Sequence, residues 1–426
     1  MTRSPAGTLQ LLPFRAVRYD PSVSDLSSVV APPYDVIDHV ERAALAVADP
    51  HNVVRLILPL DVRETGDRYE SAAQTFDTWL DDGTLRVDAA PALYVYQQSR
   101  DGIVVQRGLL GAVVMQPLDG GVILPHENVR VGPVEDRLAL MRAMRGNPEP
   151  IFLLYDGGGS TTSISATAVT RPPLVAATTD DGITHELWAI TDGAALQAIA
   201  DDLAGRQAMI ADGHHRYTTY GYLRDELRAA GAGDGPWDAG LTLLVDDSVA
   251  TPDIRAIHRV IPGLTLDAAL AAAAEAFRIT RLDAGVRDVA AALDVLAAEP
   301  APAFVVTDGE SFALLTMPDV DQLAAAKPAE RTPAWWSLDA SIASVFLMET
   351  LWGVSDAAGQ VEAEHDPAAA LQLAQGSAGV ALLLNPAPLA GIMAVAVAGD
   401  AMPRKSTLFL PKPRSGIVMR SFRFDG

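Results

Sequence analysis

The sequence predicts an α+β protein with mixed sheets and flanking helices. Three observations carry this: apolar runs of strand length recur along the chain, stretches with apolar residues three and four apart lie between them, and the two alternate without a strict repeat. The 426 residues suffice for two or three packed domains. A hydrophobic share of 49% against 20% charged supplies the apolar surface that chain ordering demands.

The elements follow in order. Leu11 to Val17 and Val29 to Asp35 read as strand and loop, since the Pro32-Pro33 pair cannot continue a central ladder. Arg68 to Leu80 sets Tyr69, Ala72, Ala73, Phe76, Trp79 and Leu80 at helical spacing. Ala92 to Gln97 and Arg107 to Met115, joined by a stretch containing Asp101-Gly102, predict a strand-turn-strand pair. Pro133 to Arg145 reads as a helix, Ile151 to Tyr155 as a short buried strand, and Gly157-Gly158-Gly159-Ser160 as a flexible turn. His185 to Ile190 is a further strand, Gly193 to Ala204 a helix, and Ala208 to Ala211 a strand. Beyond Pro262, Leu266 to Phe277 and Val286 to Ala298 are alanine-rich helices, and Ala303 to Thr307, Phe312 to Thr316, Val380 to Leu384 and Met393 to Ala398 are strands. The compositional shift places a boundary near residue 265, with an N-terminal part at 1–265 and a C-terminal part at 266–426; one merged unit is the alternative. There is no internal repeat, coiled coil or long low-complexity linker.

Charge narrows the function classes. Lys and Arg total 32 against 54 Asp and Glu, a net charge of -22 that repels nucleic-acid phosphates and argues against a nucleic-acid partner. Cysteine is absent, which excludes disulfides, thiolate metal sites and cysteine nucleophiles. Met1 to Asp20 lacks the features of a secretory signal, and the apolar stretch Gly379 to Gly399 is broken by Asn385, Pro386 and Pro388, so the expectation is a cytoplasmic protein with no membrane segment. Lysine occurs only at 327, 405 and 412. Two of these join Arg404 and Arg414 within Met402 to Gly416, a stretch without an acid. It reads either as a grip on a small anionic ligand or as a tail pairing with the protein's own carboxylates.

The most informative run is Ile210-Ala211-Asp212-Gly213-His214-His215-Arg216-Tyr217. A short strand ends at Asp212, Gly213 permits a turn that a side chain obstructs, and a helix begins at His214 or His215. The first N–H groups of a helix are unpaired and its dipole favours an anion there. Arg216 adds a bidentate grip on a phosphate, and Asp212 is placed to orient a metal ion or accept a proton. The plainer reading makes the adjacent histidines surface residues or hydrogen-bonded loop fasteners. Zinc is the weaker assignment: there is no H-E-x-x-H, and His126-Glu127 lacks the second histidine. Lys405-Ser406-Thr407 has the ending of a phosphate loop without its glycines.

Several separated motifs now carry a resemblance. The Leu-Pro-Phe-Arg start, Val30 to Val36, Asn52 to Leu56, Pro125-His126-Glu127, Ile210 to Tyr217 and Met402 to Gly416 together resemble the DUF1015 family, nearly end to end. More distantly, the Asp212 to Arg216 turn is similar to the phosphate-binding turn of the ParB/sulfiredoxin-like superfamily, in which free-serine kinases carry an Asp-Gly-His-His-Arg run. This second resemblance covers the short segment alone. It implies Gly213, His214, His215 and Arg216 holding phosphates and Asp212 near the transferred group. It also implies an acidic base elsewhere, for which Asp35 and Glu127 are the candidates, with His126 beside Glu127 as a further one; a turn-capping Asp and a solvated loop Glu are their ordinary readings.

The leading expectation is a nucleotide-dependent small-molecule kinase, a phosphotransferase to an alcohol group using ATP or ADP with Mg²⁺ and acting on free L-serine to give O-phosphoserine. In this picture Arg404, Lys405, Lys412 and Arg414 close over the polyphosphate or the substrate carboxylate. The rival is a non-catalytic regulator binding a nucleotide or phosphometabolite at the same turn. A nuclease is disfavoured by the charge and the scarcity of lysine. Self-association into a homo-oligomer is left open.

Overall fold

The computed structural model describes residues 7–61, 67–282, 286, 288–356 and 359–425. The reading of residues 1–6 as free of a signal, and the first turn of the helix expected from Val286, lie outside the described residues in whole or in part. The mixed α+β class is observed.

A nine-stranded mixed sheet dominates. Its strands are β1 (Leu11–Leu12), β2 (Leu93–Arg100), β3 (Ile103–Val114), β4 (Ile123–Leu124), β5 (Ile151–Tyr155), β6 (Val175–Thr178), β7 (Ile183–Ile190), β8 (Ala208–Asp212) and β9 (Ala239–Asp246). They run in the order β4-β8-β5-β9-β3-β2-β7-β6, with β1 also on β3. Asp101 (φ 52°) and Gly102 (φ 77°) make the tight left-handed turn that joins β2 to β3 antiparallel, as the sequence predicts. β5 and β9 are parallel, as are β8 and β4.

Strand alternation divides the core. Ile151, Leu153 and Tyr155 face one side of the sheet with Ile210 and Leu244, against Tyr217, Tyr220 and Leu223. Phe152 and Leu154 face the other with Tyr94, Tyr96 and Leu243. The helices that matter below are α1 (His39–Ala48), α2 (Arg68–Asp81), α3 (Val131–Met144), α4 (Gly159–Ala168), α5 (Gly193–Leu203), α6 (His214–Ala229), α7 (Leu266–Ala273), α8 (Val289–Ala298) and α9 (Leu389–Val397).

A second, six-stranded sheet takes β10 (His258–Ile261), β11 (Arg278–Leu282), β12 (Phe304–Thr307), β13 (Phe312–Thr316), β14 (Glu362–Glu364) and β15 (Val380–Leu383) in the order β11-β13-β12-β15-β10-β14. The chain then returns. Ile392, Val395, Phe409, Ile417 and Val418 pack into the Tyr94 and Phe152 face of the first sheet. Residues 420–421 pair with 146–147. Each such buried aliphatic or aromatic side chain contributes about 1.5–3 kcal/mol, so the hydrophobic effect holds the return and its polar contacts set its register.

Three expectations change. Met393 to Ala398 is helix, not strand: Ile392, Val395 and Ala396 are buried at helical spacing while Val397 is exposed, and Pro388 occupies the N-cap. Val29 closes a helical turn over Leu26–Val29 that Asp25 caps, rather than opening a strand. Gly157 to Ser160 is not a loose turn. Arg206 donates to the carbonyls of Asp156, Gly157 and Gly158, Asp247 accepts from the Gly157 N–H, and α4 begins at Gly159.

Candidate functional site

β8 carries an irregularity that shapes its end. Its register against β5 slips between Ile210 and Asp212, so Ala211 is the extra residue of a bulge and Asp212 is re-aimed at the sheet rim. Gly213 follows with φ 92° as the N-cap of α6. A Cβ there would come within 3.1 Å of Ile151 Cγ2 and 3.2 Å of Arg216 Nε, so both the backbone angle and the crowding select glycine. No side chain caps α6, unlike α1, α2, α5 and α8, which aspartates cap. Among the described residues no protein acceptor meets the N–H groups of His214, His215 or Arg216.

The side chains of the run build the site's walls. His214 Nε2 accepts from the His126 N–H at 3.2 Å and His215 Nε2 from the Arg130 N–H at 3.0 Å. The two histidines thereby fasten the 126–130 loop, with Glu127 and Arg130, to the helix start. The His126 and His214 rings meet edge to face at 4.7 Å, and His126 Nε2 contacts Thr407 Oγ1 at 3.1 Å. Burial depresses both imidazoles, His126 to about 4, so they stand neutral at neutral pH.

Arg216, only 1% exposed, donates to the Pro150 carbonyl and to Asp212 Oδ2. Its guanidinium is a buried strut, and the bidentate phosphate grip expected of it is not available in this arrangement. Lys412 Nζ takes the other oxygen of Asp212. Burial alone raises the Asp212 carboxyl, but Lys412 and Arg216 together outweigh it and hold the group below its ordinary value.

Two further residues, absent from the sequence reading, tie the site together. Glu149, 1% exposed, accepts from the Tyr34 N–H at 3.0 Å and from Ser415 Oγ at 2.9 Å. Arg137 stacks its guanidinium 4.0 Å from the Tyr34 ring centroid. Between them they fix the Pro32-Pro33-Tyr34-Asp35 loop beside the turn. The Asp35 charge is felt by Arg216, Lys412 and His215. Glu127 is raised above its ordinary value first by burial and then by the Asp212 charge, with Lys412 and Arg130 opposing. Arg137 also pairs with its neighbour Asp136, but no local signal ties Glu149 or Arg137 to the turn, since Tyr34 and Ser415 lie far from them along the chain.

The basic tail divides. Lys412 reaches the turn and pairs with Asp212, whereas Arg414 pairs with Asp181 at 2.7 Å. Arg404 and Lys405 expose their side chains, and their carbonyls are gripped by the buried Arg259 at 3.0 Å. Asp212 as a metal ligand finds no support: both its oxygens hold cations, and among the described residues no group of three or more His, Asp or Glu side chains is arranged to hold a metal. A separate cleft of about 290 Å³, lined in part by Pro13, Phe14, Arg15 and Pro236, contains none of the predicted site residues.

The model of the family described as "Protein of unknown function (DUF1015)" matches residues 11–341. No curated protein matches. Similar solved structures include a mutant free serine kinase in complex with ADP, 12% identical with a TM-score of 0.33, covering 68% of this chain and 84% of that one. A C-terminally truncated SbnI from Staphylococcus aureus is 15% identical with a TM-score of 0.34, covering 72% and 86%. A conserved hypothetical protein from Pyrococcus furiosus is 12% identical with a TM-score of 0.34, covering 71% and 92%. No helix among the described residues is long and apolar enough to cross a membrane.

Proposed function

We propose that this chain, which belongs to the DUF1015 family, is a nucleotide-dependent kinase acting on free L-serine to give O-phosphoserine. The observation that carries the reading is the uncapped start of α6: three unpartnered main-chain N–H groups beside Lys412, with Glu127 and Asp35 held close. The amides of His214, His215 and Arg216 suit nucleotide phosphates, because the helix dipole and unpaired donors point at them. The nucleotide supplies the phosphoryl group. Glu127, with its raised proton affinity, is the group to take the acceptor's hydroxyl proton, and Asp35 is the alternative. Arg130, exposed on the fastened loop and with no ion pair among the described residues, is a cation placed to meet phosphate oxygens. Mg²⁺ has no ligand set at Asp212, so no step is assigned to it there. The choice of serine comes from the likeness of the Asp212 to Arg216 run to that of free-serine kinases.

Incubating the protein with Mg²⁺, ATP or ADP and a panel of hydroxyl amino acids, with phosphorylated product read by phosphorus NMR, tests this. O-phosphoserine formed by the wild type and lost in Glu127→Gln supports it. A second reading, a phosphometabolite sensor, is favoured by the saturation of Asp212: the one carboxylate within the turn already holds two cations. Nucleotide binding without product under either donor favours that reading, and absence of nucleotide binding removes the kinase.

A further inference from the structure

We infer that α1 is the contact surface of a two-fold homodimer. None of its ten residues is buried, and five of its apolar side chains lie on the solvent side. Val40 is 63% and Val47 85% exposed, and Ala43, Ala44 and Ala48 are exposed with them. These positions, at i, i+3, i+4, i+7 and i+8, form one continuous face, and exposed Val36 precedes it by one turn. The inner side is joined to the body largely by polar ties: Arg42 Nε donates to the Leu58 carbonyl at 3.1 Å and Arg55 Nη2 to the Ala46 carbonyl at 2.7 Å. Leu45 and Ala46 are only partly buried there. A surface helix ordinarily turns its apolar stripe to the core, so the reversal here marks a surface covered by something outside the chain.

The sequence of the face identifies the occupant as a second copy. Val40, Ala43, Ala44 and Val47 read the same from either end, with the centre between the two alanines. Laid antiparallel on itself about a two-fold axis, the helix sets Val40 against the partner's Val47, a contact made twice, and brings Ala43 and Ala44 of each copy up to the axis, where each lies near its own counterpart. The central alanines allow the close helix approach that such a crossing needs. Two copies of so short a face make a small interface, so the pairing is weak and strengthens with protein concentration. A membrane surface suits it poorly, because Asp38, Glu41 and Asp49 flank the helix and the chain carries a net charge of -22. That same charge makes two copies repel at long range, so added salt should strengthen the pairing.

The absence of cysteine gives a direct test on the full chain. Under mild oxidation, Ala44→Cys should cross-link to itself. Val40→Cys mixed with Val47→Cys should cross-link better than either variant alone, because each residue faces the other across the axis. Sedimentation equilibrium should show a wild-type dimer favoured by salt, and Val47→Asp should be monomeric with an unchanged thermal melt of the monomer. A wild type that stays monomeric at its highest soluble concentration in high salt overturns the inference. So does a dimer that survives Val47→Asp, or a mixture that cross-links no better than its single components. None of these readouts depends on phosphotransfer.

Discussion

Lys412 lays its ammonium against Oδ1 of Asp212, 200 residues earlier in the chain, while Arg216 holds the other carboxylate oxygen. One carboxylate thus pins the returning C-terminal segment to the start of α6. The pair is largely closed to solvent, with side-chain exposures of 13% and 12% for Lys412 and Asp212. Charges in such a place are costly to leave unpaired, so this contact sets where the return sits even though apolar packing supplies most of its stability.

Asp212→Asn should therefore destabilise the fold by about 3 kcal/mol, since it leaves two mostly buried cations without a counter-charge. Urea unfolding with an unchanged slope reads this directly. A midpoint equal to wild type would mean that Lys412 and Arg216 find water or another acid at little cost.

Arg216→Ala tests the role of a strut against that of a phosphate ligand. If Arg216 is a phosphate ligand, activity should fall with the fold near intact. Burial at 1% exposure, with bonds to Pro150 and Asp212, predicts a stability loss of about 3 kcal/mol alongside any loss of activity. An unchanged melt with lost nucleotide binding would restore the ligand role.

Gly213→Ala has two penalties, a left-handed backbone and a Cβ crowding Ile151 and Arg216. The backbone term alone is about 1–2 kcal/mol. Relief by reshaping the turn moves the α6 amides, so nucleotide affinity measured calorimetrically should fall more than tenfold, which corresponds to at least about 1.4 kcal/mol.

Acid should loosen the 126–130 loop. His126 titrates at about 4 in the folded chain against 6.5 when free, so its buried neutral form contributes nothing above pH 6.5 and a growing penalty to folding as pH falls from 6.5 to 4. The full penalty is roughly 3 kcal/mol, and His126→Gln should remove that slope from the unfolding free energy over this window.

Glu127→Gln should separate binding from transfer: nucleotide still binds and phosphoserine no longer forms. A carboxyl raised in the folded state weakens folding as pH rises from its free value through its folded one. The glutamine variant should accordingly gain stability at neutral pH and show no gain in acid. Product at the wild-type rate would transfer the base role to Asp35.

Much of the architecture is legible because it is local. The spacing of Tyr69, Phe76 and Trp79 suffices for α2, Asp101-Gly102 suffices for the β2–β3 turn, and Ile210 to Arg216 shows a strand, a glycine turn and a helix start. Residues 389–397 defeat this reasoning. A short apolar run fits either period, and only the face presented by Ile392, Val395 and Ala396 to the first sheet decides for helix.

By itself, then, the sequence determined the elements and the shape of the turn, since backbone angles and periodicity answer to neighbours a few residues away. Tertiary structure decided what that turn's side chains do. His214 and His215 became fasteners, Arg216 a strut, and Lys412, Glu149 and Arg137 members of the site, because charge pairing and desolvation depend on which distant segments are folded against each other.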